Sequence, residues 1–293
     1  MQPRVFNVGI LQLKPFKGKR AQNLEHLKSA LQELRQANEK PDVLVLPEGA
    51  LTGYFLQGGV RELAVTRFQL FEELEDIWRE VWDAPLDMVV GFFEKSDTNY
   101  FNSCLYAQFG GEHSGIKHVH RKVFLPTYGV FDEDRYQARG SSFDAFDTRF
   151  GRAAMVICED AWHTITTTIC ALKGAEVIYV PSASPVRNLE GAEPSNVRYW
   201  HNLVSGIAAE HGVFAVLSSL PGFEGGKGLM GASALFHPRG HIVARAPILE
   251  EAVIIANINL DEIQPARYEN PLLSDLRAGL PSILSSLEEA ISE

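Results

Sequence analysis

Met155-Val156-Ile157-Cys158-Glu159-Asp160 reads as an apolar strand running straight into a cysteine, with a helix expected to open at once behind it. A thiol at such a junction sits at the carboxyl end of a strand beside a helix amino terminus. Unpaired backbone N–H groups and the helix dipole there favour thiolate over thiol and can cradle a developing oxyanion. Taken alone, a cysteine in this setting is more often a small buried core residue. Two other stretches change that balance. Asp42-Val43-Leu44-Val45-Leu46 is a short apolar strand followed directly by Pro47-Glu48-Gly49, and Arg121-Lys122-Val123-Phe124-Leu125-Pro126 lies between it and the cysteine. A carboxylate, an ammonium and a thiol in these positions point to nucleophilic catalysis.

Outward from these three points the pattern is α/β. Val5 to Leu11 is strand-like, and Leu24, Leu27, Leu31 and Leu34 share one face of a helix. A second amphipathic helix is expected from Arg61 to Trp82. Strands follow at Leu86–Phe93 and Ser103–Phe109, with Gly110-Gly111 turning into another. The order then repeats: a strand at Ala153–Ile157, a helix from Ala161 to Lys173 stopped by Gly174, and a strand at Val177–Val180. A helix at Asn196–Glu210 precedes strands at Val213–Ser218, Ala232–Phe236, Ile242–Ala246 and Ala252–Ile258. Each half is thus β-α-β-α followed by strands, which predicts two mixed sheets packed face to face with helices outside. No linker separates the halves, so residues 1–260 read as one domain. Residues 261–293 read as a tail, helical over Ile283–Ile291, that packs on the body or on a neighbouring subunit.

Bulk properties narrow the function. The net charge of −10 and the scattered lysines and arginines disfavour a nucleic-acid partner. No apolar run approaches the roughly 20 residues that cross a bilayer, and the amino terminus has no signal-peptide core. Cys104, Cys158 and Cys170 form an odd set without framework spacing, which suggests a reducing, cytoplasmic setting. In the chemistry expected here, Glu48 is the general base, its carboxyl raised by desolvation at the end of a buried strand. Lys122 holds the tetrahedral oxyanion together with the Glu159 backbone N–H. Cys158 attacks a carbonyl carbon to leave a thioester that water cleaves. Competing motifs are weaker. Gly226-Lys227-Gly228-Leu229-Met230-Gly231 matches G-x-G-x-x-G, but a strand follows where a dinucleotide site needs a helix. His118 and His120 share a strand face without a third metal ligand.

Glu48, Lys122 and Cys158, in this order and context, resemble the nitrilase (carbon–nitrogen hydrolase) superfamily over nearly the whole chain. The resemblance implies a four-layer α-β-β-α sandwich, a Glu-Lys-Cys triad, no metal or organic cofactor, and a homodimer or larger homo-oligomer. Residues Leu125 to Tyr136, with Cys158-Glu159-Asp160, are most similar to the glutaminase domain of glutamine-dependent NAD synthetase. On that likeness Glu133 is a second glutamate supporting the lysine, and Tyr54, Tyr128, Glu159 and Trp162 line the amide pocket. Ser184 and Arg187 lie on a loop that holds the substrate's polar end. No Ser-Gly-Gly-x-Asp-Ser type motif follows in this sequence, so NAD synthesis by this chain alone is not expected. The superfamily's true nitrilases tend to carry Cys-Trp-Glu, which disfavours a nitrile substrate here. The expectation is an amidase that hydrolyses a linear non-peptide carboxamide to acid and ammonia. An N-carbamoyl amino acid hydrolase, a glutaminase subunit feeding a separate synthetase, and a non-catalytic scaffold remain as alternatives.

Overall fold

The computed structural model describes residues 4–82, 84–111, 114–187 and 193–292. Chain order begins β1 (Val5–Gln12), α1 (Arg20–Gln36), β2 (Val43–Val45), α2 (Val60–Leu63), α3 (Arg67–Val81), β3 (Leu86–Ser96), β4 (Asn99–Phe109) and β5 (Gly115–Arg121). It continues β6 (Ala145–Asp147), β7 (Arg152–Met155), α4 (Thr164–Leu172), β8 (Val177–Ser182), α5 (Ser195–His211), β9 (Phe214–Ser219), β10 (Pro221–Glu224) and β11 (Lys227–Met230). Last come β12 (Ala234–Phe236), β13 (Ile242–Arg245), β14 (Ala252–Asn259), α6 (Ile263–Glu269) and α7 (Leu272–Ser292).

Two six-stranded mixed sheets form, in the orders β14-β1-β2-β3-β4-β5 and β13-β12-β9-β8-β7-β6. In each, two parallel pairings sit at the centre: β1-β2-β3 in the first and β7-β8-β9 in the second. Side-chain alternation along the first sheet explains the layering. Val8, Ile10, Val43, Val45, Val89, Cys104 and Tyr106 point inward and share one core with the strands of the second sheet. Their neighbours Leu44, Leu46, Met88, Val90, Leu105 and Ala107 point the other way, onto Leu27, Leu31 and Leu34 of α1 and Leu70, Leu74 and Ile77 of α3. On the far side, Trp200, Val204, Ile207 and Ala208 of α5 and Cys170 of α4 pack against the second sheet. The result is the expected α-β-β-α sandwich. Strands buried on both faces must be apolar throughout, which is why they read as continuous runs.

Four details differ from the sequence expectation, each for a local physical reason. The single helix expected over Arg61–Trp82 is broken, because Val65 extends to exchange backbone bonds with Phe93 and Lys95. Thr66 then opens α3 with a reciprocal capping box to Gln69. β14, grouped by sequence order with the second half, crosses back to pair antiparallel with β1. The glycine-rich stretch around Gly226, for which the sequence pattern predicts no strand before Ala232, forms the β10–β11 hairpin. The helix expected directly behind Cys158 begins only at Thr164, after a single 3-10 turn over Cys158–Trp162.

The tail is helical over Ile263–Glu269 and again from Leu272, well before Ile283. Ile263, Ala266 and Leu273 are buried against the body, and the Arg267 guanidinium donates to the backbone oxygens of His211, Gly212 and Ala175. α7 lies against α4 and α5, while Ile283, Leu284, Leu287 and Ile291 are exposed. Among the described residues, no helix is long and apolar enough to cross a membrane.

Candidate active site

The carboxyl ends of β2 and β7, in different sheets, and the end of β5 meet over the sandwich core. Glu48 follows β2 by three residues, Lys122 follows β5 at once, and Cys158 follows β7 by three. All three side chains are buried. Lys122 Nζ donates to Glu48 Oε1 at 2.8 Å and to Glu133 Oε1 at 2.7 Å. Asn102 Nδ2 donates to the same Glu48 oxygen at 2.7 Å, and the Tyr54 hydroxyl donates to Glu133 Oε1. Glu48 Oε2 and Glu133 Oε2 are buried without a hydrogen-bond partner. Cys158 is near enough for its thiol to feel the charges of Glu48, Lys122 and Glu133, and the Ser182 hydroxyl donates to its Sγ at 3.6 Å.

Two carboxylates around one ammonium in a dry site cannot be neutral overall unless a proton is shared. Burial pushes the Glu133 carboxyl up to about 7, against the pull of Lys122 and with the push of Glu48. Burial works against the Lys122 charge, but Glu133 and Glu48 outweigh it, so its affinity for the proton rises and the side chain stays an ammonium. Two of its three N–H bonds are engaged by the glutamates, which leaves one for an incoming group. The Cys158 thiol is pushed up, first by burial and then by Glu48, more than Lys122 pulls it down. This reverses the sequence expectation of a resting thiolate. Desolvation is larger than any helix-terminus effect here, and the turn behind the cysteine is too short to build a macrodipole. The thiol therefore requires a base.

Backbone conformation holds these groups in place. Cys158 has φ +47°, a left-handed value that raises the side chain above the end of β7 and costs a non-glycine residue strain. Gly91, on β3, lets the Pro47–Glu48 loop pass directly over it. A Cβ there would lie 2.5 Å from the Pro47 carbonyl oxygen and 2.7 Å from the Glu48 Cα. Gly91→Ala is expected to cost about 1–3 kcal/mol, read as a lower midpoint in urea unfolding, because backbone rather than a flexible side chain must move. An unchanged midpoint would show that the loop yields freely.

A cavity of about 430 Å³ opens on Cys158. Tyr128, Glu159, Trp162, Ser184 and Arg187, all singled out from the sequence, line it. The Tyr128 hydroxyl donates to Glu159 Oε2 at 2.9 Å across its mouth. Tyr54 stands apart from this lining: it is buried, donating to Glu133, and its backbone N–H and that of Phe55 are held by the Glu224 carboxylate of the β10–β11 hairpin. Residues 188–192, which follow Ser184 and Arg187 in the chain, lie outside the described residues.

Sequence reasoning missed several contributors. Phe131, Asn196, Tyr199 and Trp200 also line the cavity. Asn102 and Ser182 touch the reactive groups but carry no motif. Ser182 could have been found from its place at the carboxyl end of β8, next to β7, since parallel strands gather their functional ends at one edge. His118 and His120 do face one way, but toward aromatic and carboxylate neighbours. His118 stacks on Phe146 with ring centroids 4.7 Å apart, and His120 Nε2 lies 2.9 Å from Asp160 Oδ2.

Known proteins resemble this chain over most of its length. The family model described as carbon-nitrogen hydrolase matches residues 7–268. An N-carbamoylputrescine amidase of Arabidopsis thaliana is 28% identical over 272 residues, covering 87% of this chain and 88% of its own. A glutamine-dependent NAD(+) synthetase of Rhodobacter capsulatus is 30% identical over 252 residues, covering 85% of this chain. The match spans only 43% of that longer synthetase. The crystal structure of a carbon-nitrogen hydrolase from Helicobacter pylori G27 superposes with a TM-score of 0.82 at 24% identity, covering 97% of this chain and 99% of that one. With a matching model across most of its length and this fold, the chain belongs to the carbon-nitrogen hydrolase family of the nitrilase superfamily, whose members hydrolyse carbon–nitrogen bonds, as this enzyme does.

Proposed function

We propose that the enzyme is a cysteine-dependent amidase that converts a small linear carboxamide to its acid and ammonia. The observation that carries the reading is the single buried cluster of Glu48, Lys122, Glu133 and Cys158 at the foot of one cavity. In this reading Glu48 removes the Cys158 proton as sulfur attacks the amide carbon. The resulting oxyanion accepts the remaining Lys122 N–H and the Glu159 backbone N–H. Glu48 returns the proton to the departing nitrogen, so ammonia leaves and a Cys158 thioester remains. Glu48 then takes a proton from water, whose oxygen attacks the thioester; the acid departs and the proton returns to sulfur. Glu133 keeps Lys122 in place, and Asn102 orients Glu48. No metal or organic cofactor enters these steps.

The cavity supports a polar, charge-bearing acyl group. It offers a carboxylate at Glu159, a guanidinium at Arg187, the Ser184 hydroxyl and an aromatic wall from Trp162, Tyr199 and Trp200. An ω-amide with a charged far end fits such a lining better than a purely aliphatic amide, because its charge can pair with the Arg187 guanidinium or the Glu159 carboxylate. A second reading, hydrolysis of an N-carbamoyl compound, is supported by the nearly full-length likeness to the Arabidopsis carbamoylputrescine amidase. Delivery of ammonia to a separate synthetase subunit is supported by the likeness to part of the bacterial NAD synthetase. A non-catalytic scaffold has no use for the whole buried cluster. The proposal includes a cytoplasmic enzyme that pairs with a second copy of itself, to which the exposed apolar residues of α7 are available.

The test is ammonia release across ω-amides, aliphatic amides, nitriles and N-carbamoyl compounds, assayed from pH 5 to 9. Turnover of an ω-amide without turnover of ureido compounds supports the amidase reading, and the converse supports the second. The Lys122 clamp needs ionised Glu133, whose carboxyl is pushed up to about 7 by burial. Activity is therefore expected to rise with pH through about 7. A rate flat from pH 5 to 7 would remove Glu133 from its assigned role.

A further inference from the structure

Asp160 is fully buried and its carboxylate is bonded on both oxygens to groups that flank the reactive residues. Oδ1 accepts the backbone N–H of Val123 at 3.0 Å and of Phe124 at 2.9 Å. Oδ2 accepts the backbone N–H of Ile157 at 3.1 Å and lies 2.9 Å from His120 Nε2. A carboxylate only accepts, so His120 carries its proton on Nε2 and donates it. Val123 is the residue after Lys122, and Ile157 is the residue before Cys158. One side chain therefore clips the lysine loop to the nucleophile turn. The same residue anchors the turn from behind, because its backbone oxygen accepts the Thr166 hydroxyl of α4 at 2.8 Å.

The other ties between these two loops are side-chain contacts farther from the reactive pair: Phe124 stacks on His163 with ring centroids 3.7 Å apart, and the Tyr128 hydroxyl donates to Glu159 Oε2. The Lys122 backbone bonds through its N–H to the Asn102 oxygen and through its carbonyl to the Gly140 N–H, and neither partner belongs to the Cys158 turn. The Cys158 turn, in turn, is strained at φ +47° and short. A strained turn keeps its shape only where its surroundings over-determine it. We propose that Asp160, oriented by His120, is a positioning residue that sets the placement of Cys158 relative to Lys122. It touches no substrate and acts through the two backbone segments it joins. The inference rests on the amidase reading for its effect on turnover, but its effect on the thiol's surroundings stands independently of the substrate.

Asp160→Asn keeps the shape but offers one accepting oxygen instead of two, so at least one pair of donors loses its partner. With sites counted by thiol titration, kcat for the best amide is expected to fall by about 10²-fold with KM within about threefold. The second-order rate of Cys158 alkylation by iodoacetamide should fall in parallel. A merely structural residue would lower the melting temperature and the yield, leaving kcat per titrated site unchanged. A kcat and alkylation rate within about twofold of wild type overturns the proposal.

Where Asp160→Asn does not fold, His120 is substituted instead. His120→Phe removes one donor and is expected to lower kcat by about tenfold, with partial rescue in His120→Gln, whose amide N–H can reach Oδ2. Equal kcat in all three forms overturns the proposal. If the wild-type enzyme turns over no amide, the amidase reading fails, and the alkylation rates alone decide the role of Asp160.

Discussion

Cys158→Ala is expected to lose turnover by about 10⁴-fold or more while unfolding at nearly the wild-type temperature. The size follows from the route: without sulfur no thioester forms, and Lys122 and the backbone donors can only stabilise attack by water from a place built for a side chain. The thermal result follows from the resting state. Burial pushes the thiol up, so the native enzyme holds it protonated, and its removal leaves no buried charge unpaired. Only the Ser182 hydroxyl loses its partner, through a long 3.6 Å contact. The measurement is ammonia release by the purified variant beside differential scanning calorimetry. A variant keeping more than about 1% of the wild-type kcat would rule out the thioester route, because that residue exceeds what an oxyanion site alone supplies.

Lys122→Met is expected to damage both activity and stability. Methionine fills much of the lysine stem's volume but removes the ammonium between Glu48 and Glu133. Breaking a buried ion pair by deleting one partner costs about 3–5 kcal/mol, since the remaining charge is left without compensation. Here two carboxylates remain, each with an oxygen that already lacks a partner. Loss of an oxyanion donor alone lowers kcat by about 10²–10³-fold, and the displaced Glu48 adds to that.

The pH dependence of the variant gives the sharper check. Burial has already pushed Glu133 up to about 7, with Lys122 the main group pulling it down, so deleting Lys122 drives it higher. A carboxyl whose folded pKa exceeds its unfolded value binds more protons when folded. Its contribution to stability is complete below about 4.5 and is lost as pH rises through the folded value. The difference in melting temperature between Lys122→Met and wild type should therefore be smaller at pH 5 than at pH 8. An equal difference at both would mean that lost packing, not unpaired carboxylates, causes the instability.

The relation between these residues and their sequence context is uneven. Glu48 and Cys158 were legible because each follows a run with a strand's apolar signature, whereas Lys122 was read only from its place between them. Glu133, Tyr128, Glu159, Trp162, Ser184 and Arg187 were reached only through a family resemblance, and the last five do line the cavity. Tyr54 was placed there too, yet it lies beneath, because the Glu224 carboxylate draws its loop toward the β10–β11 hairpin.

Local pattern by itself determined the strands, most helices and the class of layers, since alternation and helical periodicity are properties of neighbouring residues. The broken helix at Val65 and the return of β14 to β1 depend on backbone bonds between segments distant in sequence, which no local window contains. The protonation of the site was likewise decided by tertiary structure. The sequence pointed to a low-pKa thiol at a helix end. Folding instead surrounds that thiol with apolar walls and two glutamates, and the desolvation they impose outweighs the dipole of a single short turn.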